Sequence, residues 1–241
     1  MTDQDTSAYW RKMLELDSPL PEGLLDRYKS PQRILRPLVS CASGLFFRLW
    51  CPETVAGIEN VPAKTPYIVA ANHSSSLDFS SVAVAMGKKM KDVYPITTKF
   101  FYDHWFAGFW IRAAANAVRI DTEEDFLVAL RAAARILKAG KAVYMNPEGT
   151  RSPDGKLLPF HPGVGVLAVE TGAPLVPVYI SGTFDTLRYD KLFPKRGPVK
   201  VSFAKPIEMG PYIEKKKTTQ AYDVYKEVAE ELRGRILSLD H

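Results

Sequence analysis

The chain reads as an α/β protein: a single domain with a mostly parallel central sheet flanked by helices, preceded by an N-terminal helical segment. Three observations predict this. The short runs "YIVAA" (67–71), "AVYM" (142–145) and "LVPVYI" (175–180) are apolar without alternation, as in strands covered on both faces. Stretches with helical spacing of apolar residues lie between them. Polar turns, "NHSSSLD" (72–78) and "NPEGTRS" (146–152), follow two of these strands directly, where open α/β sheets place their ligand sites.

The elements follow in order. A polar arm and a proline-rich stretch around Pro19, Pro21 and Pro31 lead to "RILRPLVSCASGLFFRLW" (33–50), an apolar body flanked by Arg33, Arg36 and Arg48. As a helix it suits either the interface of an anionic membrane or a buried face of the domain. From residue 55 the alternation begins: strand 67–71, helix "FSSVAVAMGKKM", strand "DVYPITTK" (92–99), the aromatic helix "FYDHWFAGFWIRAAA" and strand "NAVRI" (116–120). Asp121 or Thr122 is expected to cap a helix with Glu123, Glu124 and Asp125 in its first turn and Gly140 at its stop. Strand 142–145, helix "GVGVLAVETGA", strand 175–180, strand "VKVSFAKPI" (199–207) and a last helix "AYDVYKEVAEELRGRILSL" complete the chain. "EKKKTT" (214–219) reads as a solvated loop. The expected division is residues 1–54 as arm and membrane-associating segment, and 55–241 as the α/β domain.

Of 241 residues, 46% are hydrophobic and 24% charged, an ordinary globular balance with a real core. The net charge of +5 favours anionic partners. It is scattered rather than clustered and accompanies no recognised module, which disfavours nucleic acid. Cys41 and Cys51 make neither a disulfide framework nor a metal spacing, so a reducing compartment is expected. The first residues lack the apolar core of a secretory signal, and no segment reaches the roughly 20 apolar residues that span a bilayer.

His73 and Asp78 are the first candidates for chemistry. Five positions apart on one helix they would point about 140° apart. They meet only if His73 lies in the turn and Asp78 in the first helical turn. The carboxylate would then hold one imidazole nitrogen and leave the other free to take a proton. The alternative is that Asp78 or a serine merely caps the helix. In the second turn Gly149 permits close backbone approach, and Arg151 is suited to grip a phosphate or carboxylate bidentately. A surface turn with a local Glu148–Arg151 ion pair is the plainer reading.

Together these motifs resemble the glycerolipid acyltransferases of the lysophosphatidic acid acyltransferase type. "NHSSSLD" is similar to that family's NHxxxxD block, and "NPEGTRS" to its FPEGTRS block, in the right order and about seventy residues later. "KFFYDHWFAGFWIRAAANAVRID" resembles the block between them, with Lys99 and Gly108 in matching places, and "VPVYI" the proline-containing strand that follows. The resemblance spans about residues 55 to 205. It implies a glycerol-3-phosphate acyltransferase-like fold. It also implies transfer of a fatty acyl group from a thioester, acyl-CoA or acyl carrier protein, to a lysolipid hydroxyl, most naturally that of 1-acyl-sn-glycerol 3-phosphate. His73 would be the general base and Asp78 its orienter. Glu148, Gly149, Thr150 and Arg151 would form the acceptor site, with Lys99 and Arg119 adding to it. Backbone or serine donors of the two turns would stabilise the oxyanion. The resemblance implies no metal and no cofactor beyond the donor substrate, and a peripheral or monotopic place on the cytoplasmic face of a membrane.

Two departures thin the positive charge. Thr122 stands after Asp121 where the family usually has a base, with Arg119 two residues earlier, and His161 stands where it often has lysine. An acceptor without glycerol phosphate, such as an amino-acid lipid or glycolipid, therefore remains an alternative, as does a non-catalytic lipid-binding protein on the same fold. A hydrolase using the same pair lacks a G-x-S-x-G nucleophile motif. Phe100, Phe101, Trp105, Phe106, Phe109 and Trp110 suit either plain core or an apolar lip for the acyl chain.

Overall fold

The structure, a computed structural model, describes residues 3–105, 107–120, 126–188, 190–191 and 193–240. The expected cap at Asp121 or Thr122, its acidic first turn and Phe106 lie outside these residues. The helices are α1 (Asp3–Met13), α2 (Leu24–Arg27), α3 (Arg36–Leu49), α4 (Asp78–Met86), α5 (Lys99–Asp103), α6 (Ala107–Ala114), α7 (Phe126–Lys138), α8 (Gly163–Thr171), α9 (Thr183–Thr186), α10 (Gly210–Lys215) and α11 (Ala221–Leu237). The strands are β1 (Glu53–Ala56), β2 (Ile68–Ala71), β3 (Val93–Thr98), β4 (Val118–Ile120), β5 (Ala142–Met145), β6 (Leu175–Ser181) and β7 (Val199–Phe203).

They form one seven-stranded sheet in the order β1-β7-β6-β2-β5-β3-β4. Every neighbouring pair is parallel except β6 and β7. β2, at the centre, is buried along its whole length, and its side chains alternate between the two faces. Ile68 and Ala70 join the core under α7, α8 and α11, whereas Val69 and Ala71 join the core under α3 and α4. Burying each such Ile, Leu or Val side chain contributes about 1.5–3 kcal/mol, so a central strand covered on both faces has a strongly fixed register.

Several elements differ from the sequence reading. The polar arm is a helix: α1 packs on α8 and α11, Ser7 Oγ bonds Glu170, and Leu14 just beyond it is fully buried. β1 straddles the division expected at residue 55 and pairs with β7 at the sheet edge. Four residues, three of them exposed, leave too little pattern to read as a strand. The single aromatic helix expected over 101–115 is two helices, because His104 adopts extended backbone (φ −61°, ψ 129°) with neither Gly nor Pro to announce the break. β7 ends at Phe203, short of the expected 207; Ala204 N still donates to Pro177 O, and Ile207 exchanges both backbone bonds with Leu175 one residue out of the β6–β7 register. The solvated loop expected at 214–219 begins as the last turn of α10.

α3 divides the two readings of residues 33–50 between its faces. Val39 and Phe47 are buried against the domain. Leu38, Leu45 and Leu49 form an exposed apolar stripe that Ile34 and Trp50 extend at either end. Of the three flanking arginines, Arg36 turns inward: its Nη2 donates to Asn116 Oδ1 at 3.0 Å. Among the described residues, no helix is long and apolar enough to cross a membrane.

Candidate active site

The parallel strands β2, β5 and β6 bring their carboxyl ends to one edge of the sheet, and two asparagines fasten the chains that leave it. Asn72 continues β2 by side chain: its Oδ1 accepts from Ile180 N (2.7 Å) and its Nδ2 donates to Ile180 O (2.9 Å). Asn146 does the same from β5, donating to Ala71 O (3.0 Å) and Asn72 O (3.1 Å). The two polar turns therefore lie side by side.

His73 lies in the first turn and Asp78 opens α4, the arrangement their spacing requires. His73 Nδ1 is 2.9 Å from Asp78 Oδ2; the imidazole is 28% exposed and the carboxylate 0%. Oδ2 also accepts from Ser74 N (2.7 Å) and Ser75 N (2.8 Å), and Oδ1 accepts from Thr183 Oγ1 (2.6 Å). Four donors thus converge on one fully buried carboxylate, whose position is set by two backbone amides and by a residue 105 positions away. With Nδ1 committed to Asp78, Nε2 is the ring nitrogen left for chemistry.

Glu148 braces the base from the second turn. It is 2% exposed; its Oε1 accepts from His73 N (2.6 Å) and its Oε2 from Leu158 N (2.8 Å). Burial pushes this carboxyl up from its ordinary pKa, against the pull of the Leu158 and His73 N–H groups. Ser152 N donates back to His73 O at 2.8 Å, so the turns are stitched in both directions. The local Glu148–Arg151 pairing gives way to these bonds. Gly149 has φ +71°, which favours glycine, and a Cβ there would press on the exposed His161 ring at 3.1–3.2 Å.

Arg151 reaches across to the first turn, its Nη1 donating to Ser76 Oγ at 2.8 Å, with Cζ 5.1 Å from the Phe101 ring centroid. Thr150 and Lys99 are exposed, Thr150 next to Arg151 in the turn and Lys99 at the start of α5. Arg119 is set apart on β4, where its Nη2 donates to Asp103 Oδ2 at 3.1 Å. His161 is exposed at the mouth, its backbone N bonded to Pro147 O. Of the aromatics, Phe100 and Trp105 are 64% and 81% exposed, which favours a lip at those two positions. The oxyanion donors expected from the first turn are largely spent: the N–H groups of His73, Ser74, Ser75 and Leu77 all bond inside the site.

Thr183, Asn72 and Asn146 are the site residues that sequence reasoning missed. Thr183 had a usable signal, since "SGT" at the end of β6 is a third polar turn at the same sheet edge, with Gly182 at φ +83°. Among the described residues, no three His, Cys, Asp or Glu side chains gather as metal ligands.

A parallel α/β sheet that carries a braced histidine–aspartate pair and an arginine on neighbouring turns at its carboxyl edge defines the class. A family model described as "Acyltransferase" matches residues 53–181, and the chain belongs to that family. It is 31% identical over 164 residues to the chloroplastic 1-acyl-sn-glycerol-3-phosphate acyltransferase BAT2 of Brassica napus, covering 64% of this chain and 44% of that protein. It is 31% identical over 133 residues to the human 1-acyl-sn-glycerol-3-phosphate acyltransferase alpha, covering 54% and 46%. The chain thus spans about half the length of these curated relatives. The crystal structure of the 1-acyl-sn-glycerophosphate acyltransferase PlsC from Thermotoga maritima superposes with a TM-score of 0.65 at 26% identity, over 87% of this chain and 82% of that one.

Proposed function

We propose that the protein transfers a fatty acyl group from an acyl thioester, on coenzyme A or acyl carrier protein, to the free hydroxyl of a lysophospholipid. The acceptor is 1-acyl-sn-glycerol 3-phosphate and the product phosphatidic acid, in line with the names of the relatives. The observation that carries this reading is the 2.9 Å contact between His73 Nδ1 and the fully buried Asp78 carboxylate. It fixes the imidazole so that Nε2 faces a substrate as a base.

In this mechanism His73 Nε2 takes the proton of the acceptor hydroxyl as its oxygen attacks the thioester carbonyl carbon. The tetrahedral intermediate collapses with cleavage of the C–S bond. The leaving thiolate recovers the proton from the imidazolium, giving an ester and a free thiol. Asp78 supports the positive charge that forms on His73, and Glu148 keeps the His73 backbone in place. Arg151, with Thr150, Gly149 and Lys99 around it, receives the acceptor's phosphate. The exposed stripe of α3, with Trp50 at its end, lies in the membrane interface from which a lysolipid is delivered.

The test is a mass-spectrometric transfer assay on purified protein in detergent, with a long-chain acyl-CoA, a mixed lysolipid panel and His73→Ala alongside. One new acylated product, absent in the variant, is the expected result, and equal product from the variant rejects the mechanism. Free fatty acid without a transferred product points to hydrolysis instead.

A further inference from the structure

Arg151 is held from two sides by elements that neighbour its own turn. β2, β5 and β3 are adjacent in the sheet, so the turns after them adjoin at its carboxyl edge. Arg151 stands on the middle one. Ser76, on the turn after β2, accepts from its Nη1 at 2.8 Å, and the Phe101 ring, in the first turn of α5 after β3, lies against its guanidinium at 5.1 Å. We infer that Phe101 is a positioning residue for the acceptor's phosphate, fixing the plane of the Arg151 guanidinium on which that phosphate docks. This inference rests on the proposal that Arg151 binds the phosphate.

The physical reason is a matter of what each kind of support uses up. A free arginine side chain samples many rotamers, an entropy that a ligand must overcome unless the protein has already restricted it. A carboxylate would restrict it, but would occupy the same N–H fork and cancel part of the charge. An aromatic face restricts it through cation–π and stacking contact while leaving the N–H donors and the charge to the ligand. Ser76 accepts from Nη1, whereas the ring lies against the guanidinium and takes no N–H.

The ring is in turn held by α5. Phe100 packs edge-to-face on it with centroids 5.2 Å apart. Arg112 of α6 donates to Tyr102 O and stacks over the Tyr102 ring at 5.3 Å. Arg119 of β4 bonds Asp103 at the far end of the same helix. Arg119, expected at the phosphate from the sequence, thus bonds the last residue of α5, two positions beyond Phe101.

The experiment is steady-state kinetics on the full chain with 1-acyl-sn-glycerol 3-phosphate in mixed micelles and a long-chain acyl-CoA. It compares the parent with Phe101→Leu, Phe101→Tyr and Arg151→Ala. Phe101→Leu keeps an apolar side chain but removes the ring. It is expected to raise the acceptor KM about two- to fivefold, with kcat and the acyl-CoA KM within error of the parent. Phe101→Tyr, which keeps the ring, is expected to return the acceptor KM to within about twofold of the parent. An unchanged acceptor KM in Phe101→Leu, a Tyr variant as impaired as the Leu variant, or a loss confined to kcat each overturns the inference. Arg151→Ala separates the two layers. If it raises the acceptor KM while Phe101→Leu does not, the positioning role alone fails. If Arg151→Ala leaves the acceptor KM unchanged, the phosphate reading fails and the role of Phe101 falls with it.

Discussion

Asp78→Asn is the most informative single substitution, because the bonds around Asp78 allow structure and chemistry to be separated. Removing the side chain altogether, in Asp78→Ala, would strand Ser74 N, Ser75 N and Thr183 Oγ1 in a site where the carboxylate is 0% exposed. Each unsatisfied buried donor costs about 1–3 kcal/mol, so the total is on the order of 3–9 kcal/mol. That is comparable with the whole stability of a typical domain, about 5–15 kcal/mol, and the variant is expected to fold poorly. Asparagine keeps the shape. With its amide oxygen in the place of Oδ2, it still accepts from His73 Nδ1, Ser74 N and Ser75 N. Its NH2 then faces the Thr183 hydroxyl, which can rotate from donor to acceptor. What is lost is the charge beside the imidazolium formed during transfer. A positioned base contributes about 10²–10⁴ in rate, and Asp78→Asn is expected to lose most of it in kcat with a Tm near that of the parent. The assay is kcat by product mass spectrometry, paired with thermal unfolding. Parent-level kcat in the asparagine variant would refute the role of the pair. So would a kcat loss that merely follows a large loss of stability.

Two further predictions rest on other parts of the fold. Glu53, on β1 with Ser81 Oγ donating to it at 2.9 Å, has its carboxyl pushed by burial up to about 7, a rise that the Ser81 bond partly opposes. Because the folded pKa lies above the unfolded one, its contribution is fully present below about pH 4.5 and is lost as pH rises through about 7. Glu53→Gln should therefore gain on the parent between pH 5 and pH 8, by on the order of 2 kcal/mol after allowance for partial exposure, or about 4–8 °C in Tm. A stability difference that stays flat across that range refutes the assignment. On α3, Leu38→Glu with Leu45→Glu places charge at positions 66% and 54% exposed, so Tm should hold while co-sedimentation with anionic vesicles falls. Unchanged sedimentation would remove this face from the membrane.

Much of the site was legible in the sequence because its chemistry is local. A strand end, a turn and a helix start within seven residues suffice to make His73 and Asp78 meet, and the strict backbone demand at Gly149 is written in the residue itself. The same locality explains the element errors. β1 is too short and too exposed to show a period, and the break at His104 carries no Gly or Pro. No element was legible in the polar arm, because the groups that hold it as a helix lie far along the chain, as the Ser7–Glu170 bond shows.

The sequence by itself determined the α/β class, the parallel centre, and the two polar turns that carry His73, Asp78 and Arg151. These depend on periodicity over a few residues and on side chains that each turn supplies itself. Only the tertiary structure decided that Thr183 completes the Asp78 cluster, that Glu148 braces His73 instead of pairing with Arg151, and that Phe101 lies under that arginine. It also turned one face of α3 inward and left the other exposed. The contacts of Thr183, Glu148 and Phe101 follow from the spatial strand order β6-β2-β5-β3, which sets residues tens to a hundred positions apart on adjoining turns. Strand order in space is fixed by how the helices cover both faces of the sheet, and no local pattern in the chain encodes it.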